Sequence, residues 1–210
     1  MHHLAMPTQS TAKPARLTAE TAHESTPSLD ANRARRLSRD TIQLRCLTPA
    51  DGHHVTDLLG RLSQQSRYQR YFRLIRTLAP ADVARFVALS PDHLAVGAFD
   101  GNLLIGAAQY FRLSGRPEQA EVALEVADSH HRRGVGARLV RELARLAAGK
   151  GITHFTATVL AENRPVLALM RHSGWHIATT PDGTYSDVVV TLPPELVGAG
   201  AGCACASRAS

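Results

Sequence analysis

The chain has 210 residues, a formal charge of +6 and 44% hydrophobic residues, which suits one domain with a sizeable core. Three cysteines do not make a disulfide framework, and no apolar run approaches the roughly 18 residues of a membrane span or a secretory core, so a soluble, cytoplasmic protein is expected. Arginine supplies all basic residues except Lys13 and Lys150. A phosphate ligand, a nucleic acid or a solvated tail would each fit that charge.

In chain order, residues 1–39 are rich in Thr, Ser, Pro, Ala and Arg and read as a disordered leader. Their Arg33, Arg35, Arg36 and Arg39 read as a solvated cluster. The folded domain is expected over 40–193. Thr41 to Leu47 alternates as a strand, with Cys46 as a small buried residue. Thr48 and Pro49 start a helix, whose apolar face is Val55, Leu58, Leu59 and Leu62. Ser63 to Leu78 reads as another helix, with Arg67, Arg70, Arg73 and Arg76 beside Tyr68, Tyr71, Phe72 and Ile75. A basic stripe beside aromatics suits single-stranded nucleic acid, but aromatics packed under an amphipathic helix are the preferred reading, and nucleic acid is set aside. Ala79-Pro80-Ala81-Asp82 opens a short helix. His93–Phe99 and Leu103–Phe111 form a hairpin around Asp100-Gly101-Asn102. Leu113 to Gln119 reads as a polar loop and Ala120 to Ala127 as a strand.

Next come a turn with Gly134 and Gly136 and an amphipathic helix buried through Val135, Leu139, Leu143, Leu146 and Ala147. Gly149-Lys150-Gly151 stops it. A strand (153–160), a helix (163–172) and two strands (176–180 and 186–192) complete the domain, and 194–210 reads as a flexible tail carrying Cys203 and Cys205. Those two lack companion ligands, so no metal site is expected. The order β, α, α, α, β, β, β, α, β, α, β, β implies an α+β, three-layer αβα fold with a mixed sheet.

A glycine-bearing turn that opens a helix points several backbone N–H groups at one spot, which suits a phosphate or pyrophosphate. Arg132 and Arg133 add charge there. No GxxxxGK[ST] loop exists, and the turn lies too far along the chain for a dinucleotide fingerprint. The alternative is that the glycines only make a tight turn.

His131-Arg132-Arg133-Gly134-Val135-Gly136 resembles the acyl-CoA loop, Q/R-x-x-G-x-G/A, of the GNAT acetyltransferase superfamily, with His131 in place of the leading Gln or Arg. Asn163-Arg164-Pro165, the helix through Met170 and Gly174-Trp175 resemble that family's Asn-started helix and its Gly-aromatic end. LTPAD, LSQQSRYQRYF and LAPADVARF resemble the Pat-type protein-lysine acetyltransferase branch, and together these stretches span nearly all of 41–192. The resemblance implies a mostly antiparallel sheet and acetyl-CoA as acyl donor with no metal. It implies an amine acceptor, a protein lysine such as one on an acyl-CoA synthetase. A small-molecule amine and a non-catalytic CoA-binding module stay open as alternatives.

Glu121 and Glu125 share one face of the strand before the loop, and a carboxylate on an apolar central strand is costly unless exposed or used. Many relatives carry a Glu where Glu121 stands, so the resemblance implies Glu121 as general base, while Glu125 joins the candidate acceptor cleft. It further implies Val126 and Ala127 as backbone contacts to the donor, and Arg132, Arg133, Gly134, Val135, Gly136 and Ala137 as the pyrophosphate set. Asn163 either contacts the pantetheine arm or caps its helix. Arg67, Tyr68 and Tyr71 fall in the region that covers the acceptor. Met170 stands where many members place a Tyr acid.

Overall fold

The computed structural model describes residues 42–198. The expected leader, its arginine cluster, Thr41, Cys203 and Cys205 lie outside the described residues.

Strand β1 (Ile42–Cys46) leads through a 3-10 turn (Pro49–Asp51) into α1 (Gly52–Arg61). The turn is held by Asp51, whose carboxylate accepts Arg45 Nη1 at 2.8 Å, Arg45 Nη2 at 2.6 Å and the Thr48 N–H at 2.8 Å. The Arg45 hydrogen bonds depress the Asp51 carboxyl far below the usual range. Helices α2 (Gln64–Tyr71) and α3 (Pro80–Phe86) follow. Then come β2 (His93–Asp100), β3 (Leu103–Leu113), β4 (Arg116–Val126), α4 (Val135–Ala148), β5 (His154–Leu160), α5 (Arg164–Arg171), β6 (His176–Asp182), β7 (Tyr185–Thr191) and α6 (Pro194–Gly198).

The strands form one sheet in the order β1-β2-β3-β4-β5-β7-β6. All neighbours are antiparallel except β4 and β5. Alternation along the strands feeds two cores. On one face, Val135, Leu139, Leu143, Leu146 and Ala147 of α4 pack against Leu94, Val96, Ile105 and Phe155, with Val122, Leu124 and Val126 of β4 beside them. On the other, Val55, Leu58, Leu59 and Phe86 of α1 and α3 pack against Ala95, Phe99, Leu104 and Ala107. Helices on both faces of one sheet make the expected three layers.

Four expectations change. The Ser63–Leu78 stretch is not one helix. Phe72 adopts a left-handed conformation (φ 54°) and closes α2 with its N–H on Tyr68 O. Arg73 and Arg76 therefore leave the basic stripe. The expected loop at 113–119 is mostly strand, because Gly115 (φ 76°) makes a tight turn and β4 starts at Arg116. Cys46 is only partly buried. The expected tail begins with α6, whose Leu196 packs on the α4 core.

Candidate active site

The sheet splits at its centre. β4 and β5 pair only at Gln119–His154, Ala120–Phe155 and Glu121–Thr156. Beyond that point β4 continues with β3 to Val126, and β5 continues with β7 to Leu160. The β4 edge from Val122 to Val126 thus faces a gap with no strand partner, an edge that an extended amide-bearing chain can pair with.

The glycine turn stands at the far end of this gap. Gly134 is the N-cap of α4 in a left-handed conformation, φ 81° and ψ 5°, and Arg132 before it also has positive φ, 56°. Gly136 answers a different need: a Cβ there would lie 3.3 Å from Leu124 Cδ2, so its absence lets α4 approach β4 closely. The N–H groups of Gly134 to Ala137 have no partner within a helix that begins at Val135. Together with the helix dipole they suit an anion. His131 folds back, and its Nε2 lies 2.8 Å from Val126 O. It ties the loop to β4, a role that the loop pattern did not reveal.

The carboxylates of β4 diverge in environment. Glu121 is exposed. Glu125 is buried, 3.1 Å from Arg70 Nε and 3.2 Å from the Tyr71 hydroxyl, which donates to it. The Arg70 Nε–H itself is not aligned for a hydrogen bond at that distance, so this contact is held by charge. Burial pushes the Glu125 carboxyl up, against the pull of Arg70. Burial, then the Glu125 charge, pushes the Tyr71 phenol up. Above these residues opens a cleft of about 290 Å³ lined by Tyr71, Arg73, Asp82, Arg85, Gln109 and Glu121 among others.

Helix α2 is pinned to the loop that follows β4. Asp128 accepts the Ser63 N–H at 2.7 Å, Ser63 Oγ at 2.8 Å and Ser66 Oγ at 2.8 Å. Desolvation raises the Asp128 carboxyl, but these donors outweigh it and the net shift is downward. Arg67 clamps both ends of α2, donating to Leu62 O at 3.1 Å and Ile75 O at 3.3 Å.

The structure thus brings Glu121, Tyr71 and, beneath them, Glu125 to one cleft, and sets residues 132–137 at the other end of the β4 edge. Arg67 and Tyr68 do not line the cleft: Arg67 serves the backbone, and Tyr68 is exposed. Of the expected donor contacts, the Ala127 N–H is given to Ile105 O and Val126 O faces His131, while Val126 itself belongs to the 122–126 edge that has no strand partner. Asn163 caps α5, its Oδ1 accepting the Val166 N–H at 3.3 Å. Arg70, Arg73, Asp82, Arg85, Gln109 and Phe111 were not anticipated. Only the alternation of β3, which puts Gln109 and Phe111 on the face of Glu121, carried a signal for them.

Comparison with known proteins gives this geometry a family. Residues 60–175, more than half of the chain, match the Acetyltransferase (GNAT) family. The GNAT domain of PAT from S. lividans superposes with a TM-score of 0.67 at 27% identity, covering 72% of this chain and 90% of that one. The Salmonella typhimurium yncA structure, which holds its cofactor acetyl-CoA, superposes at 0.60 with 15% identity, covering 73% and 95%. Diaminobutyrate acetyltransferase EctA from Paenibacillus lautus, in complex with diaminobutyric acid and coenzyme A, superposes at 0.54 with 20% identity, covering 72% and 95%. The chain belongs to the GNAT acetyltransferase family and is an acetyl-CoA-dependent acetyltransferase.

Proposed function

We propose that this cytoplasmic enzyme moves an acetyl, or another short acyl, group from acyl-CoA to the side-chain amine of a protein lysine, with Glu121 as general base. The observation that carries the reading is the position of Glu121. It is the last β4 residue in register with β5, exposed in the cleft at the point where the sheet opens. The glycine-turn N–H groups hold the pyrophosphate at one end of the free β4 edge, and that edge pairs with the pantetheine amides.

An ammonium has no lone pair to attack with, so it first loses a proton. Glu121 receives a proton directly or through one water. The nitrogen then bonds to the thioester carbonyl carbon and gives its second proton to solvent, the C–S bond breaks, and the sulfur departs as thiolate. Met170, partly buried against the core, stands where a phenol acid would be, and the thiolate leaves unaided because it is a far weaker base than an alkoxide.

A protein acceptor is supported by the open rim: Arg73, Asp82 and Arg85 are all exposed. The same mixture of charges favours a second reading, a small amine that carries a carboxylate. Intact-mass detection of acetyl addition tests both, with an acyl-CoA synthetase as the first protein acceptor and free amino acids beside it. Glu121→Gln is expected to slow transfer about 10²–10⁴-fold with acetyl-CoA affinity, measured by calorimetry, unchanged. Transfer undiminished in Glu121→Gln removes the base. Tight acetyl-CoA binding without transfer to any amine turns the protein into a binding module.

A further inference from the structure

A buried polar pair under the cleft has no part in the reaction as described. His93 and Gln109 are 5% and 4% exposed, on a sheet face that is otherwise largely apolar. Burying two such groups is costly unless their hydrogen bonds are made or used. His93 Nδ1 lies 2.7 Å from Ala88 O, and its Nε2 lies 3.2 Å from the position assigned to Gln109 Oε1, the amide end that a half turn exchanges with Gln109 Nε2. The imidazole stacks on Phe111 at 4.2 Å, and the Arg85 guanidinium lies over the Phe111 ring, 4.6 Å from its centroid. The ring is held in one orientation.

That orientation fixes the amide. A carbonyl oxygen such as Ala88 O only accepts, so Nδ1 carries the proton and a neutral ring presents a lone pair at Nε2. The two ends of an amide exchange by a half turn about its last bond. The end that satisfies Nε2 is the NH₂, which leaves the Gln109 carbonyl oxygen facing the cleft that Gln109 lines. Gln109 sits opposite Ala123, and Phe111 opposite Glu121, so Gln109 and Glu121 are diagonal neighbours on one face, flanked by the Ala123 methyl group on one side and the Phe111 ring on the other.

We infer that Gln109 is an acceptor-amine contact, oriented by His93, and that it takes one N–H of the amine while Glu121 takes the other. A neutral primary amine has two N–H bonds and one lone pair. Two acceptor oxygens on one floor leave that lone pair free for the thioester carbonyl. Gln109 touches the substrate, and His93 is a positioning residue. The inference rests on the acceptor amine entering the Glu121 cleft.

The probe is Nα-acetyl-L-lysine amide, titrated in the presence of CoA into ¹⁵N,¹³C-labelled full-length protein. The His93 ring is expected to carry hydrogen on Nδ1 alone, and the Gln109 carboxamide signals, assigned through Gln109→Leu, to shift on titration. In turnover, Gln109→Leu is expected to raise the amine KM about tenfold, the loss of roughly one hydrogen bond, with acetyl-CoA affinity unchanged. Gln109→Glu, which retains an acceptor oxygen, is expected to restore most of it. A ring protonated on both nitrogens, a silent Gln109 amide or an unaltered KM in Gln109→Leu overturns the inference. If the wild type acetylates no amine, the proposed function fails, and the ring and amide signals still decide Gln109.

Discussion

Glu125 offers a quantitative test of how the acceptor wall is held. Its side chain is 4% exposed and the Arg70 side chain 19%, with 3.1 Å between Oε2 and Nε. Glu125→Leu leaves Arg70 as an uncompensated, mostly buried charge and takes from Tyr71 the acceptor of its hydroxyl. Breaking a buried pair from one side costs about 3–5 kcal/mol. The residual solvation of Arg70 and the absence of aligned donation from its Nε place this case near the lower end, about 3 kcal/mol. For a domain of this size each kcal/mol moves the midpoint by about 2–4 °C, so thermal unfolding of Glu125→Leu should fall by about 6–12 °C. The double variant Glu125→Leu/Arg70→Met removes both charges and should recover most of that loss, since buried ion pairs exchange for apolar groups at little cost. Calorimetric or circular-dichroism melts of the two single variants and the double variant read the coupling directly. Melting of Glu125→Leu within about 2 °C of wild type, or a double variant that is merely the sum of the singles, would refute the account of Glu125 as a buried electrostatic tie.

Two further outcomes follow from the loop. Asp128→Ala should cost about 1–2 kcal/mol by freeing three donors on α2 and should raise the amine KM more than that of acetyl-CoA; its carboxyl titrates lower in the folded state than its ordinary 3.8, so the stability it adds is present above that pH and is lost as pH falls below it. Urea midpoints measured across pH 2–5 should therefore show a shallower acid limb in Asp128→Asn than in wild type. Gly134→Ala forces a side chain into φ 81° at about 1–2 kcal/mol, and calorimetry should find acetyl-CoA bound about 5–30-fold more weakly; unchanged affinity would separate the left-handed cap from the anion site.

The glycine turn and its helix were largely legible in the sequence and the cleft was not, for a physical reason. The α4 helix shows its buried stripe in a 3.6-residue period, Gly134 marks a left-handed cap, and Gly136 a close approach of α4 to Leu124; these signals are local. The cleft is assembled from α2, α3, β3 and β4, and nothing near Arg85 or Gln109 in the chain announces that Glu121 lies beside them. Glu125 shows the limit well. Its spacing from Glu121 gave the shared face, yet burial of one and exposure of the other depend on where α2 lands. Helix α2 itself was overextended because the arginines keep a three-residue spacing past Tyr71, and a left-handed Phe72 leaves no signature in periodicity.

Helix α2 gives a common reason for residues that the sequence presents only as a pattern. Ser63 and Ser66 face Asp128 ahead of the glycine turn, Arg67 binds the backbone at both ends of the helix, and Arg70 with Tyr71 hold Glu125 on β4. Phe72 then meets Tyr185 edge-on, at 5.3 Å between centroids, where β7 begins beside the end of β5. The helix therefore touches β4 on one side of the split and the β5–β7 layer on the other. Each of these contacts is polar or aromatic, and no residue of α2 is fully buried, so its position is set by a few directed interactions and not by a large apolar footprint. A helix held in that way is placed accurately where its ties exist and is inexpensive to displace where they are cut. The wall of the Glu121 cleft is thus the part of the fold whose geometry depends most on single side chains, whereas the glycine turn rests on the well-packed α4 core.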